Sequence, residues 1–266
     1  MNETIASTVV NKARDKHRPQ GRLYIMQIID GFLEMHGDRR CGDDPAVVGG
    51  IGYLGDRPVT VISTDKGRLL NERLTCSFGM PHPEGYRKAM RLMEQAAKFK
   101  RPIICFVDTP GAHCGIEAEE RGQGQAIAES LALMGRLPVP IITIITGEGG
   151  SGGALALGVC DSLVMLENTI FSVISPEGCA SILFKDASRS KEAAEMLKLT
   201  AKELYDLKLC DLVIPEPPKL NRHTMAPLTR TLKITLTEKL DELCALTPEE
   251  LLEKRYHKYR RIGRLT

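Results

Sequence analysis

The chain has 266 residues, of which 42% are hydrophobic and 26% charged, values typical of a globular protein with a sizeable core. The net charge of +2 favours neither nucleic acid nor membrane as a partner. No segment reaches the roughly 18 consecutive apolar residues of a membrane span, and the N-terminal stretch has no apolar signal-peptide core. We therefore expect a cytoplasmic protein that needs neither a membrane nor a nucleic acid.

The eight cysteines show no Cys-x-x-Cys pair, and neither they nor the six histidines have the spacing of metal ligands. Several, such as Cys105, lie in apolar runs, where cysteine acts as a small hydrophobic residue. The adjacent pair His113 and Cys114 has no further ligand type close by. We predict a chain without a disulfide framework and without a metal site of its own.

The N-terminal third predicts a helical segment followed by two strands. A loop over 36–45 ends the helical pattern of the first forty-odd residues. Strands at 47–53 and 59–63 flank a Gly-Asp pair and predict a hairpin. Residues 64–83 look irregular, and a helix begins near Pro83. Apolar side chains at helical spacing mark the first segment at Leu23, Met26, Ile29 and Leu33, and this later helix at Tyr86, Met90, Met93 and Ala97.

The centre of the chain alternates between apolar strands and helices, which predicts an α/β fold with a largely parallel sheet. Helical patterns separate the strands, the longest over 117–137 and another from Pro176. Short apolar runs predict buried strands at 102–107, 141–146, 162–166, 170–174 and 211–214.

A proline-rich linker at 215–218 precedes a helical tail. Leucines step by four from Leu228 to Leu240, and a second helix begins after Thr247, whose side chain suits an N-cap. We therefore divide one domain into an N-terminal helical segment (1–44), a core (45–215) and C-terminal helices (216–266). The end of the tail is basic, which predicts either a solvated helix face or a site for a phosphate or a partner. The basic residues are Lys254, Arg255, Lys258, Arg260, Arg261 and Arg264.

Five of the seven residues at 147–153 are glycine, between a predicted strand and a short helix (154–158). Such a turn lets a reacting group approach the backbone, and free N–H groups at a helix start suit a negative oxygen. The pattern Gly147-x-Gly149-x-x-Gly152, with Glu167 further on, is also typical of a dinucleotide site. That motif stands mid-chain, however, and the helix after it is short.

The same run contains Gly149-x-Ser151-x-Gly153, the pattern of a nucleophile elbow. An acid between Asp161 and Asp211 and a base at His223 or His257 would complete the order of a catalytic triad. Those histidines lie in the helical tail, whereas the base of such a triad follows a sheet strand.

A third interpretation is an oxyanion hole without a side-chain nucleophile. It needs only backbone N–H donors fixed where charge develops, and it explains why glycine extends beyond either motif. The turn at 108–115 also follows an apolar strand, and two such turns at the carboxyl ends of adjacent parallel strands would converge on one crevice.

The two turns, in this order, resemble the α subunit of bacterial-type acetyl-coenzyme A carboxylase carboxyltransferase. The resemblance runs from about residue 22 to 215. It is carried by segments at 36–39, 78–81, 83–88, 108–112, 119–123, 147–156 and 174–182.

This resemblance implies a crotonase-like fold of repeated β-β-α units with flanking helices. It also implies transfer of the carboxyl group of carboxybiotin, on the biotin carboxyl carrier protein, to acetyl-coenzyme A, which gives malonyl-coenzyme A for fatty acid synthesis. The implied partners are a β subunit (α2β2), the carrier protein and biotin carboxylase, with zinc expected on the β subunit only. The resemblance places the biotin oxyanion hole at Gly152 and Gly153, with substrate contacts at Gly149, Gly150, Gly111 and Ala112.

The chain departs from the family pattern at three places. Relatives usually have Tyr-Pro at 113–114, often Gly-His-Gln at 63–65 and commonly Arg-Asn at 76–77. Two alternatives follow: a carboxyltransferase or decarboxylase that acts on another acyl thioester, or a non-catalytic scaffold for a β-like partner.

Overall fold

The computed structural model describes residues 4–263, in which a mixed eight-stranded sheet lies between two layers of helices. The strands are β1 Asp30–Glu34, β2 Val47–Leu54, β3 Arg57–Thr64, β4 Ile103–Thr109, β5 Ile141–Gly150, β6 Ser162–Leu166, β7 Ile170–Ser172 and β8 Leu212–Ile214. The helices are α1 Ile5–Ala13, α2 Gly21–Ile28, α3 Leu70–Thr75, α4 Pro83–Lys98, α5 Ile116–Glu120, α6 Gln123–Arg136, α7 Ser151–Leu155, α8 Pro176–Phe184, α9 Ser190–Leu197, α10 Ala201–Asp206, α11 Ala226–Cys244 and α12 Pro248–Arg260. None of these helices is both long and apolar enough to cross a membrane.

The strand order is β1-β2-β3-β4-β5-β6-β8, and β7 pairs with β5. The first three strands are antiparallel, and the predicted hairpin is confirmed, with Leu54 opposite Arg57 and Gly55 in the left-handed region at φ +61°. From β3 to β8 the pairing is parallel, as the alternation of strands and helices predicts.

Successive residues of the central strands face opposite layers, because side chains alternate across a sheet. On β4, Cys105 packs with Leu92 of α4 on one face, and Phe106 packs with Tyr24 of α2 on the other. The leucines at 228, 232, 236 and 240 are all buried against this second face, so α11 covers the sheet with the predicted stripe.

The N-terminal helical segment predicted over 1–44 is wrong for residues 30–34, which form β1. Asp30 lies opposite Tyr53 and Glu34 opposite Gly50, so pairing with the hairpin overrides the helical spacing. Gly50 permits this pairing, because a methyl group there would overlap the backbone at Leu33.

Two other predictions need correction. The helix predicted over 117–137 is divided into α5 and α6, because Gly122 adopts a left-handed φ of +81°. The stretch at 64–83 is not wholly irregular, since it contains α3.

The basic tail is only partly a solvated face. Arg255 is 2% exposed; it pairs with Asp161 at 2.7 Å and donates to three backbone carbonyl groups near the end of α6. Lys258 pairs with Asp211. These contacts fasten α12 to the loops beside β6, while Arg260 and Arg261 are exposed and Arg264 lies outside the described residues.

Candidate active site

The two turns singled out in the sequence meet at the carboxyl ends of β4 and β5. These strands are neighbours, and Thr109 pairs with Gly149. Gly153 lies so close to Gly111 and Ala112 that a methyl group on it would overlap their backbone. The predicted convergence on one crevice is therefore what the structure shows.

The sequence predicts a turn that begins at residue 147. In the structure, residues 147–150 are instead the last four residues of β5. Gly149 pairs with Thr109 on one side and Phe171 on the other. The missing side chains make room for neighbours: a methyl group would meet the Asp108 carboxylate at Gly147, the Phe171 ring at Gly149 (2.8 Å) and the Pro110 carbonyl at Gly150. These glycines allow the strand to be packed closely, and a substrate contact by Gly149 or Gly150 stays a prediction.

The chain reverses sharply at Ser151, a non-glycine residue at φ +49° that begins the five-residue helix α7. A left-handed backbone at a side-chain-bearing residue costs about 1–2 kcal/mol and is common at functional sites. The N–H groups of Gly152 and Gly153 lie in the first turn of α7, where a helix provides no acceptor. Within residues 4–263 no acceptor from elsewhere reaches them; Gly152 is partly exposed, whereas Gly153 is buried against the turn after β4.

Buried side chains hold the opposite end of this helix. The Tyr86 hydroxyl donates to the Gly153 carbonyl at 3.3 Å, Ser130 donates to the Ala156 carbonyl at 2.6 Å, and Thr143 donates to the Leu157 carbonyl at 2.7 Å. The amides of α7 are thus fixed by packing before any substrate arrives, which is the condition for electrostatic catalysis by backbone donors.

The second turn is held by Thr109. Its hydroxyl accepts from the Gly111 N–H at 3.1 Å and donates to the Gly111 carbonyl at 2.8 Å. Gly111 has φ +154°, and both Gly111 and Ala112 are partly exposed beside Gly153. They therefore lie where the prediction places them, at the edge of the crevice.

A mostly apolar pocket of about 320 Å³ is lined in part by Gly152. Its size falls within the range of about 300–1,000 Å³ that is usual for small-molecule sites. A charge that develops against apolar walls is stabilised by fixed dipoles more strongly than it would be in water. The walls include Ser151, Leu155, Phe171, Val173, Leu204, Leu209, Tyr259 and Ile262.

On the other side of Pro110 lies a charged cluster, which consists of Lys66, Asp108, Glu148 and Arg14. The Lys66 ammonium contacts the carboxylates of Asp108 at 2.6 Å and Glu148 at 2.8 Å, and Arg14 donates to Glu148 at 2.7 Å. Burial alone would raise the pKa of Glu148, but Lys66 and Arg14 outweigh it and hold that pKa below its usual value. Burial would lower the pKa of Lys66, and the two carboxylates raise it instead.

This cluster was not predicted from the sequence. Glu148 was visible as the single carboxylate within the glycine run, but Lys66 and Arg14 lie far from it along the chain. Only the folded sheet brings the three residues together.

The residues required for a catalytic triad are not assembled. The carboxylate of Asp161 is bound by Arg255, that of Asp211 is bound by Lys258, and His257 pairs with Glu253 at 2.7 Å. Within the described residues the Ser151 hydroxyl has no hydrogen-bond partner, so nothing in the chain activates it as a nucleophile.

The dinucleotide interpretation fails for a different reason. Residues 147–150 are paired as a strand rather than open as a phosphate loop. Glu167 accepts a hydrogen bond from the Glu216 N–H at 3.1 Å, so its carboxylate is engaged away from the glycines. The geometry contradicts those two interpretations but not the oxyanion hole at Gly152 and Gly153, which stays a prediction.

The sequence matches the family model described as acetyl co-enzyme A carboxylase carboxyltransferase-like over residues 3–263. The chain belongs to this family. It is 56% identical to the acetyl-coenzyme A carboxylase carboxyl transferase subunit alpha of Heliobacterium modesticaldum, over 94% of this chain and 75% of that protein. The subunit alpha of Ruminiclostridium cellulolyticum is 55% identical over 97% of both chains.

Another relative joins two subunits in one chain. The protein of Clostridium tetani named carboxyl transferase subunits beta/alpha is 52% identical over 96% of this chain, which spans 44% of that longer protein. Among solved structures, a Pseudomonas malonate decarboxylase hetero-tetramer in complex with coenzyme A superposes with a TM-score of 0.69 at 20% identity, over 89% of this chain and 92% of that one. The fold is thus the crotonase-like α/β fold of carboxyltransferases, as the family resemblance implies.

The positions that depart from the family pattern contact the turn that follows β4 or its neighbours, and the Ser77 hydroxyl lies 3.0 Å from the His82 ring. His113 stacks on His82 with ring centres 4.0 Å apart, and burial together with His82 and Arg121 lowers the pKa of His113. Cys114 is exposed. At 63–65, the hydroxyl of Thr64 accepts from the Asp108 N–H at 2.7 Å, so this departure helps to support the turn that follows β4.

One group of residues in the described chain brings metal-ligand atoms close together: Asp38, Cys41 and Glu84. Arg87 pairs with both carboxylates, at 2.8 Å and 2.9 Å, and Arg121 also pairs with Glu84. These carboxylates are therefore neutralised by arginine and are not arranged to hold an ion.

Proposed function

We propose that this chain transfers a carboxyl group from carboxybiotin to acetyl-coenzyme A and so forms malonyl-coenzyme A for fatty acid synthesis. The observation that carries the proposal is the pair of backbone amides at Gly152 and Gly153, which have no acceptor within the described residues and begin the short helix whose Gly152 lines the apolar pocket. The names of the family and of its closely related subunits support the same reaction.

The charges that develop explain why amides suffice. When the bond between the biotin nitrogen and the carboxyl carbon breaks, the carboxyl group leaves as CO2 and negative charge spreads onto the ureido oxygen of biotin. The N–H groups of Gly152 and Gly153 donate to that oxygen. Because this charge is greatest in the transition state, donors that are already fixed lower the barrier more than they strengthen substrate binding.

The acceptor then needs to lose a proton. The biotin anion takes it from the methyl group of acetyl-coenzyme A, and the resulting enolate carbon forms a bond to CO2. Biotin leaves neutral and the product carries the new carboxylate. No general base on this chain is required, because the biotin anion itself accepts the proton.

The proposal assigns the other half of the site to a β subunit in an α2β2 assembly. A second oxyanion hole on that subunit would hold the thioester enolate, and zinc would be bound there and not by this chain. The relative that joins beta and alpha subunits in one chain supports such a partnership. The biotin carboxyl carrier protein and biotin carboxylase would supply the carboxybiotin.

The reverse reaction tests the proposal: free biotin and malonyl-coenzyme A are incubated with this chain alone and then with its cognate β subunit. We expect carboxyl transfer only when both subunits are present. Turnover by this chain alone would contradict the shared site. If the complex forms but transfers nothing, two alternatives remain, a different acyl thioester or a non-catalytic scaffold, and a panel of acyl-coenzyme A acceptors separates them.

A further inference from the structure

A second cavity, of about 560 Å³, lies between three segments that are distant in sequence: residues 16–23, 68–73 and 219–223. Within the described chain, no aspartate or glutamate lines it. We call it the cationic cavity, because its walls include the basic side chains of Lys16, Arg68, Arg73, Lys219 and Arg222, together with His17 and His223.

The walls of this cavity are held by specific contacts. The Arg18 side chain is buried, where it pairs with Glu216 and donates to the Thr146 carbonyl. Gln20 donates to the Gly67 carbonyl, which ties the first segment to the second. In the third segment, the Thr224 hydroxyl accepts from the Asn221 N–H at 2.9 Å. The backbone frame of the cavity is therefore fixed by the fold, and it carries the exposed side chains of Lys16, Arg68, Lys219 and Arg222 and the half-buried side chain of Arg73.

Two acidic residues near these segments, Asp15 and Glu72, do not line the cavity, although the Glu72 carboxylate interacts with the charge of Arg68. Glu72 accepts from the N–H groups of Arg68 and Leu69 at 2.8 and 3.0 Å, where it caps α3. Asp15 accepts from the His17 N–H at 2.8 Å. Among residues 4–263, none of the five basic side chains of the cationic cavity forms an ion pair, although many other lysines and arginines of the chain do.

We propose that the cationic cavity binds a small molecule that carries two or more phosphate groups. Five neighbouring basic side chains, with no carboxylate among the described residues that line the cavity, create a potential that favours a multiply charged anion over a single carboxylate. Arginine offers a planar fork that matches phosphate oxygens, and lysine adds a point charge. The volume lies in the range of about 300–1,000 Å³ typical of small-molecule sites.

Two sources can supply this chemistry, the diphosphate and 3′-phosphate of coenzyme A or a free nucleotide, and the experiment separates them. Inorganic triphosphate, ADP and coenzyme A are titrated separately into the full chain at low salt, with calorimetric detection. We expect triphosphate to bind, with an affinity that falls steeply as salt is added. Similar affinities for all three probes mean that the cavity recognises phosphate alone, whereas tighter binding of one organic probe identifies the source.

The variant R68A/R222A should weaken triphosphate binding at least tenfold. R230A/R260A is the matched control, because it removes two exposed arginines of α11 and α12 that form no ion pair within the described residues. Equal unfolding midpoints exclude a folding defect in either variant. The proposal is overturned if none of the three probes binds, or if both variants weaken binding equally. Since the readout is binding, the result does not depend on carboxyl transfer.

Discussion

The glycine run at 147–153 and the charged cluster of Lys66, Asp108, Glu148 and Arg14 lie at the same end of the sheet, but they differ in how their electrostatic field arises. The α7 end of the run, residues 151–153, carries no charge and presents backbone donors that have no acceptor within the described residues, whereas Glu148 near its start belongs to the charged cluster. The second contains full charges, each matched by an opposite charge within 3 Å. A site can therefore stabilise a developing charge without buried ions, provided that packing fixes its dipoles.

The largest expected effect comes from removing one charge of the cluster. Lys66→Met leaves two carboxylates facing each other without their shared cation, and the Lys66 side chain is only 16% exposed. Loss of one partner from a buried ion pair costs about 3–5 kcal/mol. Urea denaturation should show a decrease of that order in the free energy of unfolding.

Lys202→Met is the control for that substitution, since its pair with Asp206 at 2.8 Å is at the surface and the Lys202 side chain is 83% exposed. We expect no measurable change, because solvent screens such pairs. If Lys66→Met also left the free energy of unfolding unchanged, the charged cluster would contribute nothing to stability, contrary to this prediction.

The same cluster predicts a pH window for stability. The pKa of Glu148 is lowered, so its contribution is present above the usual carboxyl range near pH 4.3 and is lost as the pH falls through the folded value. The pKa of Lys66 is raised, so its contribution is present below about pH 10.4 and is lost as the pH rises through the folded value. Denaturation curves for wild type and K66M should therefore converge below about pH 4, and parallel curves down to pH 2 would contradict this.

At the glycine run, the expected loss is in activity. Gly153→Ala pushes a methyl group into the backbone of Gly111 and Ala112, which displaces the amides of α7. Loss of one oxyanion donor costs about 2.7–4 kcal/mol of transition-state stabilisation, a factor of about 10²–10³ in rate. The measurement is the rate of carboxyl transfer in the assembled enzyme.

Gly152→Ala provides the matched control, because a methyl group there meets only Ile127, at 3.5 Å, and the N–H group remains. We expect nearly normal transfer from this variant. A Gly153→Ala variant that keeps both assembly and full activity would show that the amide positions do not matter for the reaction.

The smallest effect is expected at Tyr86, which links the core to the glycine run. Tyr86→Phe keeps the buried ring but removes the hydroxyl that donates to the Gly153 carbonyl at 3.3 Å. The loss should be about 0.5–1.5 kcal/mol in stability, together with a modest fall in rate. A rate loss as large as that of Gly153→Ala would mean that side-chain anchoring, rather than close glycine packing, fixes the donors.

The sequence allowed the central sheet to be predicted well, because buried parallel strands leave continuous apolar runs such as 103–107. It also located the crevice, since the two turns after β4 and β5 must converge in a parallel sheet. What it missed depends on tertiary contacts. Residues 30–34 have helical spacing, yet they pair with a hairpin that no local pattern reveals.

The glycine run shows a different limit. The sequence predicted a turn whose glycines let a reacting group approach the backbone, whereas Gly149 and Gly150 lie in a strand and make room for Phe171 and Pro110. Similarly, Arg255 looked like a surface charge on a polar helix until Asp161 and the nearby carbonyl groups were seen around it. Close packing and buried ion pairs involve residues far apart in the chain, so local patterns carry no record of them.

The attachment of α12 has a consequence for biosynthesis. The Tyr259 hydroxyl accepts from the Cys160 N–H at 2.7 Å and donates to the Gly158 carbonyl at 3.0 Å, just beyond α7. The ribosome synthesises residues 248–260 after all the strands of the sheet. The Cys160 N–H and the Gly158 carbonyl therefore lack their Tyr259 partner until α12 has left the exit tunnel. One wall of the apolar pocket is therefore among the last parts of the molecule to form, and the nascent chain has no finished pocket while its central strands are already folding.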